Sequence, residues 1–205
     1  MGSFLAMHGL HYQAIVFYRK AIKLDPLDVG NYAWLGFAHL SIGNFDQVII
    51  NYKKVLEIES THLYALNDFA RLLIMVKKYE EAEEHLARCE KINPDNRHNK
   101  ITRALLYAVK GRKEEAFESL KASIRNNRYQ KIVIYSLLGL KDEATKLLDN
   151  RPIAENYNVD GSDYLGMLSN PFFDILRDSE EFQVALQKAK EIYEQNLIKY
   201  GEVFL

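Results

Sequence analysis

The sequence predicts an all-α protein, a solenoid of stacked helix–turn–helix units. Ala14, Val48, Ala82 and Ala116 recur every 34 residues, followed four places on by Tyr18, Tyr52, Leu86 and Leu120. Seven places on stand Ala21, Val55, Cys89 and Ser123, and five places before each first member stand Gly9, Gly43, Lys77 and Gly111. A fixed period of about 20 to 50 residues marks supersecondary units packed against their neighbours. The 205 residues are 48% hydrophobic with 4 Pro and 10 Gly, enough apolar surface for a core and too few breakers for disorder.

Each unit divides into two helices around the glycine. The first begins in mid-helix: Gly2, Leu5 and Gly9 are in register, so either the chain continues upstream or the leading Met1-Gly2-Ser3 matches by chance. In the second unit Tyr32, Leu35, Gly36 and His39 share a helical face, and Gly43-Asn44 interrupts the run. Phe45, Val48, Ile49, Tyr52, Val55 and Leu56 then recur at helical spacing. Pro26 and Pro94 follow the second helices of units one and three, where the chain must leave the helix. The small residues allow helices to approach within about 8–10 Å. A fifth unit carries Tyr135, Gly139, Ala144 and Leu148, but Ala144 follows Ala116 by only 28, with Asn126-Asn127 at the shortened connection.

Beyond the array, residues 152–162 read as a loop, with Pro152, Asn156, Asn158 and Asp160-Gly161. A short helix is predicted over Asp163 to Leu168, and Asn170-Pro171 starts another. Asp178 with Glu181 forms a capping box for the last helix, and Gly201 is its stop. Phe182, Ala185, Leu186, Ala189, Ile192, Tyr193 and Leu197 form its apolar stripe.

These residues resemble the tetratricopeptide repeat, or TPR. Tyr32, Leu35-Gly36, Tyr52 and Leu24-Asp25-Pro26 match its pattern, as do Phe69-Ala70, Tyr79, Ala82, Leu86 and Ile92-Asn93-Pro94. The fourth unit departs from it: Lys100 and Arg103 stand where large apolar residues are usual, and Arg128 where Pro is usual, which predicts a less firmly packed first helix there. The stretch from Tyr164 through Pro171-Phe172-Phe173 to Phe182 is similar to a closing block after TPR arrays in prokaryotic proteins. The resemblance implies a right-handed superhelix, with an array over 1–150 and a helical capping segment over 151–205.

The resemblance also implies that the first helix of each unit lines a concave groove. That places Ala33, Trp34, Phe37, Leu40 and Ser41 on it, then Tyr64, Asn67, Asp68, Arg71, Ile74, Met75 and Lys78. The fourth unit adds His98, Ile101, Thr102, Leu105, Val109 and Arg112, and the shortened unit Val133 and Leu137. Trp34, Phe37 and Tyr64 lie off the repeat's own packing positions. Trp34, Phe37, Tyr64, Asn67, Arg71, Met75 and Leu105 are the candidate partner-binding residues, with apolar burial supplying roughly 1.5–3 kcal/mol per large side chain. The alternative is that the aromatics are covered by this chain's own segments. The chaperone-binding carboxylate clamp of the family is absent, because its positions hold Ala33, Phe37, Asp68, His98 and Thr102.

Other chemistry is thin. His85 and Cys89 are four apart but lack a third ligand, and His8 and His11 flank a turn; both pairs read as structural. Glu80, Glu81, Glu83, Glu84, Glu114 and Glu115 sit near helix starts, where they favour the dipole. There is no Gly-rich phosphate loop and no recognised Ser, His and Asp set, so no enzyme activity and no cofactor or metal is expected. The 27 Lys plus Arg against 28 Asp plus Glu lack a nucleic-acid binder's excess. The single Cys fits a reducing compartment. The longest nearly apolar run, Ile132 to Leu140, is too short to cross a bilayer, and no signal peptide is visible. The expectation is a cytoplasmic, non-catalytic scaffold binding a protein or peptide ligand, without nucleic acid or membrane insertion. One alternative is the regulatory C-terminal region of a larger signalling enzyme, such as a cyclase or kinase; another is a homo-oligomer formed through the last helix. The tail Val203-Phe204-Leu205 reads as frayed or packed.

Overall fold

The computed structural model describes residues 1–123, 128–148 and 164–201, and among these it is helical without a strand. Helices pair as α1 (Gly2–Met7) with α2 (His11–Leu24), α3 (Val29–Ser41) with α4 (Phe45–Ile58), and α5 (Leu63–Met75) with α6 (Tyr79–Ile92). Then come α7 (Arg97–Val109) with α8 (Lys113–Ala122), and the short α9 (Arg128–Leu137) with α10 (Lys141–Thr145). The chain ends with α11 (Tyr164–Ser169), a 3₁₀ turn (Pro171–Leu176) and α12 (Glu180–Tyr200). Successive pairs stack, so the protein is an all-α solenoid of helical repeats. Asn126-Asn127, the 152–162 loop, Asp163 and Val203-Phe204-Leu205 lie outside the described residues.

The repeat period is visible in the backbone. Gly9, Gly43, Gly111 and Gly139 all take φ between 72 and 75°, and Lys77 takes 62° at the same turn of its unit. A left-handed residue lets the chain reverse within one turn, and glycine does so without a Cβ clash. Lys77 carries that strain. Lys77→Gly is therefore expected to stabilise the fold by about 1 kcal/mol, read as a higher urea midpoint at unchanged slope.

Within each pair the small residue has a steric purpose. A Cβ on Gly36 would lie 2.6 Å from the Tyr52 ring, and one on Gly2 would lie 2.8 Å from the Tyr18 ring. Gly2 and Tyr18 thus repeat the contact of Gly36 and Tyr52 one period earlier, and the register of the first unit is physical. N-caps follow the same period. Asp28, His62 and Asn96 each accept backbone N–H groups of the helix they open.

The fourth unit is held differently from the expectation. Arg103 is largely buried and pairs with Glu90 through two hydrogen bonds of 2.9 and 2.7 Å, and also with Glu83. Its guanidinium joins α7 to α6 where the usual apolar residue would, so the helix is fastened by charge. Arg103→Ala is expected to cost about 1–3 kcal/mol in denaturant unfolding.

The C-terminal elements turn back along the array. Phe173 is fully buried, perpendicular to Tyr129 at 5.6 Å and tilted against Phe182 at 5.6 Å. The side chain of Asn170 accepts from Phe172 N at 2.9 Å and donates to Tyr129 Oη at 3.1 Å. The predicted capping box is not formed, because the N-cap lies one residue later and Phe182 occupies the third helical position. Ser179, whose Oγ accepts from Phe182 N at 3.3 Å, caps α12 in place of Asp178. Gly201 ends the helix with a right-handed φ of −65°.

One half of α12 buries Phe182, Ala185 and Ala189 in the main core. The other half lays Tyr193, Leu197 and Tyr200 on a second cluster of Leu5, Leu10, Ala14, Ile15, Tyr18, Leu35 and Ala38. Asn196 Nδ2 donates to His8 O at 3.1 Å, and Tyr200 meets Phe4 edge-on at 5.1 Å. The 21 residues of α12, about 30 Å long, connect the last units to the first.

Candidate functional site

The concave groove is divided by the chain itself. Ser169 Oγ donates to Ser41 O at 3.1 Å, which fixes α11 against the end of α3. Beneath this contact lies a space of about 20 Å³ among Leu40, Ser41, Arg71, Met75, Tyr129 and Asn170. That is room for about one water. Arg71 and Met75, both expected to meet a partner, therefore sit under the C-terminal elements. Arg71 is also paired with Asp68 at 3.7 Å.

Beyond Phe37 the groove opens into a cavity of about 390 Å³ between α3, α5 and the start of α7. Trp34, Phe37, Tyr52 and Tyr64 supply its aromatic lining, and Asp68, His62, Arg97 and His98 its polar side chains. The Trp34 and Phe37 rings stand perpendicular at 5.9 Å. On its other side Trp34 lies parallel to Tyr18 at 6.4 Å. Trp34 thus both packs on the first unit and faces the cavity, while Tyr64, 54% exposed, stands at the rim.

Asn67 and Leu105 occupy other places than expected. Leu105 is 2% exposed and belongs to the core. Asn67, 3% exposed, donates to Asn99 Oδ1 at 3.2 Å and accepts from Thr102 Oγ1 at 2.9 Å. Both face the α5–α7 contact and leave a partner no surface. Conversely, Gly30, Tyr52, His62 and Arg97 line the cavity without having been singled out. The 34-residue spacing of the N-caps Asp28, His62 and Asn96 was a usable signal, since it places the starts of successive first helices side by side.

The floor of the cavity is electrostatically settled. Tyr52 Oη donates to Asp68 Oδ2 at 3.1 Å, and Arg71 holds the other carboxylate oxygen. His62 accepts Ala65 N at Nδ1, 3.2 Å, so its neutral ring carries the proton on Nε2. Tyr64 is flanked by the His62 ring at 6.4 Å and the His98 ring at 5.7 Å. Elsewhere, burial pushes the Cys89 thiol up to about 12, so it remains protonated and inert. No group of three metal-ligating side chains occurs among the described residues.

Four residues at the clamp positions, Ala33, Phe37, Asp68 and His98, line this one cavity. None of the four is Lys or Arg, and Arg97 in the same lining lies outside those positions. A profile of the tetratricopeptide repeat matches residues 29–62 and 63–96. Residues 29–96 therefore carry two tetratricopeptide repeats.

Among curated proteins, the Hsp70/Hsp90 co-chaperone cns1 of Schizosaccharomyces pombe is 29% identical over 84 residues, covering 39% of this chain and 24% of that protein. The chain therefore spans about a quarter of that relative's length. Among solved structures, a thermophilic TPR protein of Thermus thermophilus superposes with a TM-score of 0.63 at 18% identity, covering 93% of this chain and 95% of that one. MamA gives 0.52 at 22% identity, covering 98% of both chains. Pseudomonas aeruginosa PilF gives 0.55 at 18%, covering 98% of this chain and 89% of that one. At these identities the structures speak to the fold alone. No helix among the described residues is long and apolar enough to cross a membrane.

Proposed function

We propose that this TPR protein is a non-catalytic, cytoplasmic scaffold that docks a protein partner in the open stretch of its concave groove. The observation that carries the reading is the cavity of about 390 Å³, lined by Trp34 and Phe37 with Tyr64 exposed at its rim, while the neighbouring groove is closed by α11. Aromatic side chains around a concave, partly desolvated pocket are the usual carriers of interface energy. The working parts are apolar burial and shape, and no bond is made or broken. The carboxylate clamp forms no part of this reading, because Ala33, Phe37 and Asp68 supply no cation.

A photo-cross-linking residue at Tyr64, compared with one at Ile50, tests it in a lysate of the native host. Ile50 is an exposed side chain of α4 outside the cavity lining. A partner captured from position 64 and not from position 50 supports groove docking. Equal capture at both positions overturns it, and a product of twice the chain's mass identifies self-association instead.

A further inference from the structure

We propose that Val203-Phe204-Leu205, which follow α12 and lie outside the described residues, dock on the bare second half of α2, in the place that two further turns of α1 would fill. The repeat defines that place. The helices α1, α3, α5 and α7 end in register, at Met7, Ser41, Met75 and Val109, but α3, α5 and α7 each have 13 residues and α1 has 6. The difference is about two turns, all of it at the start of the helix. In the third unit those turns touch the second helix directly, since Cys89 Sγ lies 3.8 Å from the carbonyl oxygen of Leu63, the first residue of α5. Val55 and Cys89, one and two periods after Ala21, are fully buried, whereas Ala21 is only half-buried. Leu24 is 89% exposed, against 36% and 44% for its counterparts Ile58 and Ile92. The end of α2 thus keeps the apolar face of the repeat without the helix that covers it elsewhere.

The course of α12 aims the chain at this surface. It runs antiparallel to α1, because Asn196 meets His8 and, one turn on, Tyr200 meets Phe4. Continued in the same direction, the chain passes Gly2, which abuts the Tyr18 ring, and reaches the level where α1 stops while α2 goes on to Leu24. The four residues after Gly201 span about 13–14 Å when extended, more than the roughly 8–10 Å between packed helix axes. They can therefore cross from the line of α12 to the line that α1 vacates. Their chemistry matches the seat: after Glu202 come Val203, Phe204 and Leu205, all apolar. Docking removes apolar surface from water on both sides of the contact.

Thiol accessibility tests the proposal in the full chain. Ala21→Cys places a thiol at the register position that Cys89 holds two periods later, a size the repeat accepts there. Cys89 itself is fully buried, and peptide mapping separates the two sites. Maleimide labelling at position 21 is expected to be about ten-fold faster when Phe204 is also changed to Ser or the chain is stopped after Gly201, the factor that burying one large side chain supplies. Glu202→Gln is expected to leave the rate unchanged. A control thiol, Ile50→Cys on the exposed face of α4, is expected to keep its rate in every variant. In parallel, a photo-reactive residue at position 24 is expected to cross-link to residues 202–205 of the same chain, and one at position 50 is not. Equal labelling with and without Phe204 overturns the proposal, and so does a rise at positions 21 and 50 alike, which would mean general loosening. A position-24 cross-link in a product of twice the chain's mass also overturns it and assigns the seat to a second copy. The absence of any position-24 cross-link to residues 202–205 overturns it as well.

Discussion

Phe173→Ala is expected to cost about 3–5 kcal/mol, because it removes a fully buried ring where the structure has little freedom to collapse. Tyr129 and Phe182 both lose their ring partner. Phe173→Leu retains much of the volume and is expected to lose about 1–2 kcal/mol. Urea unfolding followed by circular dichroism measures both. In a solenoid whose units touch only their neighbours, such damage would stay near the last unit. Here α12 carries Phe182 at one end and Tyr193, Leu197 and Tyr200 on the first-unit cluster at the other. Hydrogen exchange is therefore expected to show α1 and α2 losing protection in Phe173→Ala. Unchanged protection there would mean that α12 does not couple the two ends.

Acid is the second large lever. His11 and His39 are buried with neither ring nitrogen hydrogen-bonded, and burial brings both down to about 4. The positive charge of Arg19 adds to the effect at His39. The unfolded imidazoles titrate near 6.5, so between that value and 4 the unfolded chain binds protons that the folded chain refuses. Stability is thus complete above pH 6.5 and falls as pH drops towards 4, by up to about 3 kcal/mol for each histidine. Urea midpoints at pH 7.5 and 4.5 measure the loss. The double variant His11→Leu with His39→Phe is expected to flatten most of that difference. A variant that remains as acid-sensitive as the parent would place the effect on other groups.

The repeat itself was legible because its signals are local. A left-handed turn favours glycine, an N-cap favours a short polar side chain, and a close helix crossing requires a small residue. Each preference acts within a few residues and then recurs at 34. That is why Gly43, Asn44 and Gly36 could be assigned from sequence, and why Lys77 stands out as the one strained turn among the described residues. The candidate site was legible in part. Trp34, Phe37 and Tyr64 were marked by being aromatic where the repeat needs no aromatic, and all three line the cavity. Asn67 and Leu105 were misplaced because a groove position and an interhelical position differ by only a fraction of a turn.

What the sequence by itself determined was the stacking unit and its 34-residue period; that the register reaches back to Gly2 was decided by the Tyr18 ring packed against it. The course of the C-terminal elements was decided by tertiary structure alone. Ser169 meets Ser41 across 128 residues, and Asn196 meets His8 across 188. Such contacts follow from the complementarity of two finished surfaces, which no periodicity within either segment encodes. The same holds for Arg103, an anomaly in the repeat until Glu83 and Glu90 are seen beside it. The cavity is a product of both levels: the repeat supplies its walls, and the returning chain, by filling the groove beside it, sets where it ends.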